Sequence, residues 1–280
     1  MIFSIMAPFK IHRIASLEIP ELQPYRTLRR AREHLVQGIF VAEGEKVVRR
    51  FLASPWQVIS LLLTQEWFDS IVRLVPESRL ADAEVYIGEK TLLETIVGFP
   101  LHQGIMAVGM LPAERSLEQT VADLPSPHML VALDGLVHAE NVGVVVRNCA
   151  AFGAHAMLVG RTSASPYLRR AVRNSMGGIF TLPCVHVEHL AASLASLKRR
   201  WGTRIVVADA HARLSIHAAD FSGNLCIVFG NEDAGVSDEV DAIATDRVRI
   251  PMHHGTDSLN VASASAVFLY QISSSRGTNR

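Results

Sequence analysis

Cysteine is scarce in this 280-residue chain: Cys149, Cys184 and Cys226 stand far apart, are odd in number and form no Cys-x-x-Cys pair. That argues against a disulfide framework and suits buried thiols in a reduced, cytoplasmic setting. No apolar run approaches the roughly 20 residues that a membrane-spanning helix needs. The opening stretch, Met1 to Pro8, is apolar but short and lacks a basic leader, so it is not read as a signal peptide. Net charge is missing as well. The 27 Lys and Arg balance the 27 Asp and Glu, so no global field draws the chain to nucleic acid. There is no internal repeat and no low-complexity segment. No Gly-x-Gly-x-x-Gly follows a first strand, which counts against a dinucleotide-binding oxidoreductase. The histidines give no metal site either: adjacent His253 and His254 point apart, and His138 and His211 fit no ligand spacing.

What is present supports a sizeable core: 49% of residues are hydrophobic and 19% charged. The length suits two domains. Charge is unevenly placed. Residues 1–50 hold nine Lys and Arg against five Asp and Glu, and residues 51–111 hold three against seven. A nucleic-acid contact therefore belongs at the front. There, the spacing predicts a helix over 24–37 carrying Arg26, Arg29, Arg30 and Arg32, either a solvated basic face or a phosphate-contacting one. Strands are expected at 39–42, 58–63, 84–87 and 105–110, with helices at 66–74 and 89–97 and one after Gly44, which makes residues 1–111 a small α/β domain. Residues 112–127, with Pro112, Pro125 and Pro127, read as a linker. Residues 128–280 carry apolar strands near 129–134, 156–160, 204–209, 225–230 and 247–250. Near-continuous apolar runs such as Met129-Leu-Val-Ala-Leu predict a parallel sheet covered on both faces.

Three strand ends in this second part carry unusual loops. After 129–134, Asn141 reads as the cap of a helix beginning at Val142, with Arg147 six residues on in an otherwise apolar helix. A buried arginine needs a partner, so a structural ion pair competes with a functional role. After 225–229 comes Gly230-Asn-Glu-Asp-Ala-Gly235. Its glycines permit a tight turn and close ligand approach, and Glu232 lies at the carboxyl end of a central strand, where open α/β sheets bind ligands. The third stretch runs from Ile250-Pro-Met into Ser258-Leu-Asn-Val, with Ser258 as the expected helix cap.

These motifs resemble those of the SpoU (TrmH-like) class of SPOUT RNA 2′-O-ribose methyltransferases. Asn141, Gly143 and Arg147 match the first family motif, Gly230, Asn231, Glu232 and Gly235 the second, and Ile250 to Val261 the third. Arg173-Asn-Ser-Met-Gly-Gly resembles a family segment that lies near RNA. The likeness covers about 128–272 strongly. The front domain, through Phe40-Val-Ala-Glu-Gly-Glu-Lys-Val-Val, is more weakly similar to the RNA-binding domain often fused ahead of it. Glu140 stands where many members have Pro and Asp233 where they have Gly, and Gly255 comes one place late. The resemblance implies S-adenosylmethionine as methyl donor, a C-terminal trefoil knot and a homodimer. It implies backbone contacts to the cofactor from Gly230, Ile250 and Leu259, with Met252 close by. It also implies a catalytic group of Asn141, Arg147, Glu232, Ser258 and Asn260. Arg147 is often cast in the family as a base, but a guanidinium resists deprotonation and equally well holds a phosphate or a developing alkoxide. Ribosomal RNA is the favoured target. A transfer-RNA enzyme and a non-catalytic RNA-binding protein on the same fold are the alternatives.

Overall fold

A computed structural model describes residues 10–97, 104–253 and 256–277, and the chain divides into two compact units. The strands of the first part are β1 (Lys10–Ile14), β2 (Ile39–Glu43), β3 (Val58–Leu63), β4 (Glu84–Gly88) and β5 (Ile105–Met110). Its helices are α1 (Gln23–Arg26), α2 (Ala31–Val36), α3 (Glu45–Ala53), α4 (Gln65–Ser70) and α5 (Lys90–Val97). There follow α6 (Leu117–Ala122), β6 (Met129–Asp134), α7 (Ala139–Phe152), β7 (Ala156–Gly160) and α8 (Arg169–Asn174). The remaining elements are β8 (Cys184–Val187), α9 (Leu190–Trp201), β9 (Arg204–Ala208), β10 (Leu214–Ser215), β11 (Leu225–Gly230), α10 (Asp238–Asp241), β12 (Asp246–Arg249) and α11 (Val261–Ser275).

The first unit runs through Ala113 and also takes in Tyr167–Phe180. Its sheet has the order β1-β4-β3-β5-β2, and β5 pairs antiparallel with both β2 and β3. One core holds Leu22, Tyr25, Leu28, Val41, Leu62 and Met106, and the Tyr25 hydroxyl meets Ser60 Oγ at 2.9 Å inside it. The ring of Phe180 packs on Phe40, Phe51 and Trp56, which anchors the later segment in this unit. The helix expected over 24–37 is instead two short ones, α1 and α2. Thr27 closes the break: its hydroxyl donates to the Gln23 carbonyl at 2.9 Å, and the Arg30 N–H donates to the Thr27 carbonyl at 2.8 Å. Such a local side-chain bond competes with helix continuation. The helix expected over 66–74 likewise stops at Ser70, with a single tight turn at Val72–Leu74.

The second unit comprises Glu114–Pro166 and the chain from Thr181 on. Its sheet is parallel throughout, in the order β10-β12-β9-β11-β6-β7-β8. Alternate residues of β6 serve opposite faces, as the pleat requires. Leu130 and Ala132 join Leu190, Leu194 and Leu197 of α9 in one core. On the other side of β11, Phe229 meets Phe268 of α11 edge-on, with 6.0 Å between ring centroids. Both faces are thus covered, and the apolar strands follow from that. The stretch read as a linker contains α6, capped by Ser116 in a capping box, with Leu117 and Val121 in the core. Strands β1, β8 and β10 come in addition to those expected. β1, Lys-Ile-His-Arg-Ile, is an edge strand with four of five residues exposed, so it lacks the apolar run that marks its neighbours. Among the described residues, no helix is long and apolar enough to cross a membrane.

Candidate active site

Strands β6 and β11 lie side by side and parallel, with Gly230 opposite Asp134, so their carboxyl ends open at one edge. Asp134 is only 9% exposed there, and it accepts from the Ser237 N–H at 2.7 Å and the Ser237 hydroxyl at 2.8 Å. Asn231 closes the loop between them. Its amide donates to the Gly135 carbonyl at 2.9 Å, and its side-chain oxygen accepts from the N–H groups of Asp233 and Ala234 at 3.0 Å. Asn231 and Gly235 also exchange two backbone hydrogen bonds, at 2.8 and 3.0 Å. The loop folds back so closely that a Cβ on Gly230 would stand 2.3 Å from the Gly235 carbonyl carbon. Gly235 has open space around it but sits at φ +72°, in the left-handed region that favours glycine.

This closed loop presents Glu232 outward, and two other loops meet it. The Asn141 amide donates to Glu232 Oε1 at 2.6 Å, and the Asn260 amide reaches Asn141 Oδ1 at 3.4 Å. Three residues from three motifs, 91 and 119 positions apart, therefore form one polar chain. Two expected caps are corrected. Helix α7 starts at Ala139 with His138 at its cap position, so Asn141 lies in the first turn and spends its side chain on Glu232. Helix α11 is capped by Asn260, whose Oδ1 accepts from the Ala262 N–H at 2.9 Å, and not by Ser258. Asn260 thus serves both the helix and the cluster.

Arg147 departs from expectation too. It is exposed on α7, and among the described residues it makes no hydrogen bond or ion pair. The structural ion pair that competed with a functional role is absent from the described residues. The neighbouring Asn148 does the structural work, donating to the Ala262 carbonyl and to Ser265 Oγ, each at 2.9 Å, and so fixing α7 against α11. Asp134 and Asn148 carry no candidate role in the sequence reading. The signal for each was a polar residue closing or interrupting an apolar run.

Behind the cluster lies a cleft of about 590 Å³, which Gly230, Ile250, Met252, Ser258 and Leu259 line together with Glu232 and Asn260. Val207, Phe229, Val261 and Phe268 add apolar wall. Gly255 and His254 lie outside the described residues. The charged lining is one-sided: Asp209, Asp233, Asp238, Asp241 and Asp257 stand with Glu232, and among the described residues neither Lys nor Arg lines the cleft, although Arg247 pairs with Asp241 from outside it. Carboxylates without cations suit a cationic, hydroxyl-bearing ligand and oppose a phosphate-bearing one. The described residues hold no group of three or more His, Cys, Asp or Glu that would hold a metal ion.

In the first unit, Arg26 pairs with Glu18 at 2.5 Å, Arg30 lies 3.8 Å from Glu33, and Arg29 is exposed. Arg173 is engaged at 3.0 Å by Glu43, a nearly buried carboxylate that also holds Arg169. Changing Arg26, Arg29 and Arg30 together to Ala is expected to lower RNA affinity and to reduce the salt slope by roughly one unit for every phosphate that is no longer neutralised. Because two of the three have acidic neighbours, the drop should lie nearer one unit than three. Titrations over a range of salt concentrations check this, and an unchanged slope would show a merely solvated face.

Residues 128–270 match the model of the SpoU rRNA Methylase family. A protein of Mycobacterium tuberculosis named as an uncharacterized tRNA/rRNA methyltransferase is 31% identical over 260 residues, 90% of this chain and 88% of that one. The 23S rRNA (guanosine-2′-O-)-methyltransferase RlmB of Acinetobacter baylyi is 34% identical over 184 residues, 64% of this chain and 73% of its own. Among solved structures, a TrmH-family protein from Porphyromonas gingivalis aligns with a TM-score of 0.73 at 28% identity, covering 89% of this chain and 95% of the other. The SpoU methyltransferase AviRb from Streptomyces viridochromogenes, solved with AdoMet, shares the fold with a TM-score of 0.79 at 24% identity, over 94% of this chain and 100% of its own. By sequence, by fold and by the meeting of its three motif loops, the chain belongs to the SpoU rRNA methylase family.

Proposed function

We propose that the protein is an S-adenosylmethionine-dependent RNA methyltransferase acting on a ribose 2′-hydroxyl, with ribosomal RNA as its target. The observation that carries this is the Asn260–Asn141–Glu232 chain at the mouth of a cleft lined by carboxylates and apolar groups. The residues present fit the cofactor. Its adenine suits the apolar wall, its ribose hydroxyls and its cationic groups suit the carboxylates, and Gly230, Ile250, Met252 and Leu259 would hold it. When bound, S-adenosylmethionine supplies a methyl group already activated by its sulfonium. What remains for the chain is to align the acceptor and to help its proton leave. Asn141 fixes one oxygen of Glu232 and leaves the other to accept a hydrogen bond. Ser258, exposed at the rim, offers a hydroxyl to the incoming ribose. Arg147 holds the target phosphate and stabilises the developing alkoxide.

The relative named as a 23S rRNA enzyme supports the ribosomal target. The same reading includes the C-terminal trefoil knot, the cytoplasm as the site of action, residues 1–111 as the RNA-binding domain and a homodimer. Exposed Val267 and Tyr270 on α11 support the dimer, as apolar surface available for a partner copy. The test uses purified protein, methyl-labelled S-adenosylmethionine and RNA from a strain deleted for the gene. Label is expected in ribosomal RNA, as an alkali-resistant linkage at one nucleotide. Label confined to transfer RNA would overturn the target, and no label in any RNA would overturn the reaction.

A further inference from the structure

The first unit contains a second cavity, of about 570 Å³, at the carboxyl ends of β1, β3 and β4. Ile14 ends β1, Thr64 follows β3 and Gly88 ends β4, so three parallel strands deliver their loops to one edge. Open α/β sheets bind ligands at such an edge, and the size is that of a ligand pocket. The lining differs in kind from the cleft of the second unit. Trp67, half-buried, lines the cavity. The apolar floor is made by Ile14 and Ile87. Arg13 and Lys90 supply two cations. The Arg13 guanidinium donates to Gln65 Oε1 at 2.9 Å, and the Gln65 amide donates to Asp69 Oδ2 at 3.1 Å, so the cation is oriented by a bonded relay of side chains. Lys90 is exposed and, among the described residues, has no ion-pair partner.

A nucleotide of single-stranded RNA presents a flat π-face, a polar base edge and an anionic phosphate. An indole, exposed carboxylates such as Glu66 and Glu89, and two cations answer those three features in turn. An apolar peptide would leave both cations uncompensated, and free phosphate would leave the indole unused. We propose that this crevice binds an unpaired nucleotide of the substrate RNA, its base stacked on Trp67 and its phosphate held by Arg13 and Lys90. The assignment rests on RNA being the substrate, and it locates a recognition site apart from the basic residues of α1 and the turn that follows it.

The experiment measures binding of the full-length protein to a fluorescently labelled, mixed-sequence oligoribonucleotide of about ten nucleotides. The same sequence as a duplex and free mononucleotides are the comparison arms. The wild type is expected to prefer the single strand. Trp67→Ala should weaken binding about tenfold or more, with little change in salt slope, because stacking releases no counterions. Trp67→Phe should recover most of the loss. Arg13→Gln with Lys90→Gln should lower the salt slope by up to two units. Cofactor affinity and thermal unfolding are read on every variant. If Trp67→Ala does not fold, Trp67→Phe and the Arg13 and Lys90 pair carry the decision. Unchanged RNA affinity in folded variants overturns the crevice while RNA methylation by the wild type leaves the enzyme reading standing. A wild type that methylates no RNA overturns both. Free mononucleotides bound as tightly as the oligonucleotide would overturn the assignment to RNA.

Discussion

Arg147→Ala is expected to give a folded protein that binds S-adenosylmethionine normally and no longer methylates RNA. In the structure the side chain is exposed on α7 and, among the described residues, has no hydrogen bond or ion pair to lose. Truncating a buried ion-pair partner would cost about 3–5 kcal/mol, whereas an unpartnered surface side chain is usually worth less than about 0.5 kcal/mol. The melting temperature should therefore hardly move. Turnover should fall by roughly a hundredfold or more, the scale seen when a group that stabilises developing negative charge is removed. Arg147→Lys should recover little. It keeps the charge but loses the planar fork that holds a phosphate at two points. Turnover and thermal unfolding measured on the same two variants decide the matter. A stable Arg147→Ala protein with wild-type turnover would remove Arg147 from the catalytic group.

Gly230→Ala is expected to cost more than its one methyl group suggests. The added Cβ would lie 2.3 Å from the Gly235 carbonyl carbon and 2.5 Å from both its oxygen and the Val236 nitrogen, all of them backbone. No flexible side chain is there to yield, so the 231–235 loop must move, and Glu232 moves with it. Asn231 also loses its place against Gly135 and Gly235. Calorimetry with S-adenosylmethionine should show affinity down by about tenfold or more, a loss on the order of 1.4 kcal/mol. The methylation rate should drop further, because the Asn141–Glu232 hydrogen bond is broken as well. Gly235→Ala is the informative contrast. It meets open space, so the expected cost is backbone strain alone, about 1–3 kcal/mol from φ +72°, and the cleft should keep its shape. Equal cofactor affinities in wild type and Gly230→Ala would show that this loop does not shape the cofactor site.

Local patterning in the chain already marks much of the fold. Continuous apolar runs placed strands such as Val58–Leu63, Ile105–Met110 and Met129–Asp134 with the limits the structure gives them. A strand buried on both faces can hardly be written in other residues. The loops Asn141 to Arg147, Gly230 to Gly235 and Ile250 to Val261 stood out because they set polar residues and glycines at the ends of such strands, where core packing asks for neither. Edge strand β1 and the break at Thr27 were not legible in that way. Each depends on one local bond or on one exposed face, and neither leaves a periodic signal.

Which side chains share a job is set by packing between distant segments. Linear spacing gave Asn141 and Ser258 to helix caps, because a short polar side chain before an apolar run ordinarily caps. Once β6 and β11 pair, Asn141 has a carboxylate within 2.6 Å, and a charge-assisted hydrogen bond is worth more than a bond to a backbone N–H that water also satisfies. Helix α11 then takes Asn260 as its cap. Arg147 was expected to be buried from the composition of its helix, but burial belongs to a face and not to a segment. On α7, Val142, Val145, Val146 and Cys149 turn inward, and the 100° step per residue leaves position 147 on the outer side. Membership of the Tyr167–Phe180 segment was decided the same way. It lies in sequence between two strands of the second sheet, but Phe180 finds an aromatic cluster, and Arg169 and Arg173 find a nearly buried carboxylate, only in the first unit. Sequence proximity cannot report such a choice, because it is made by partners more than a hundred residues away.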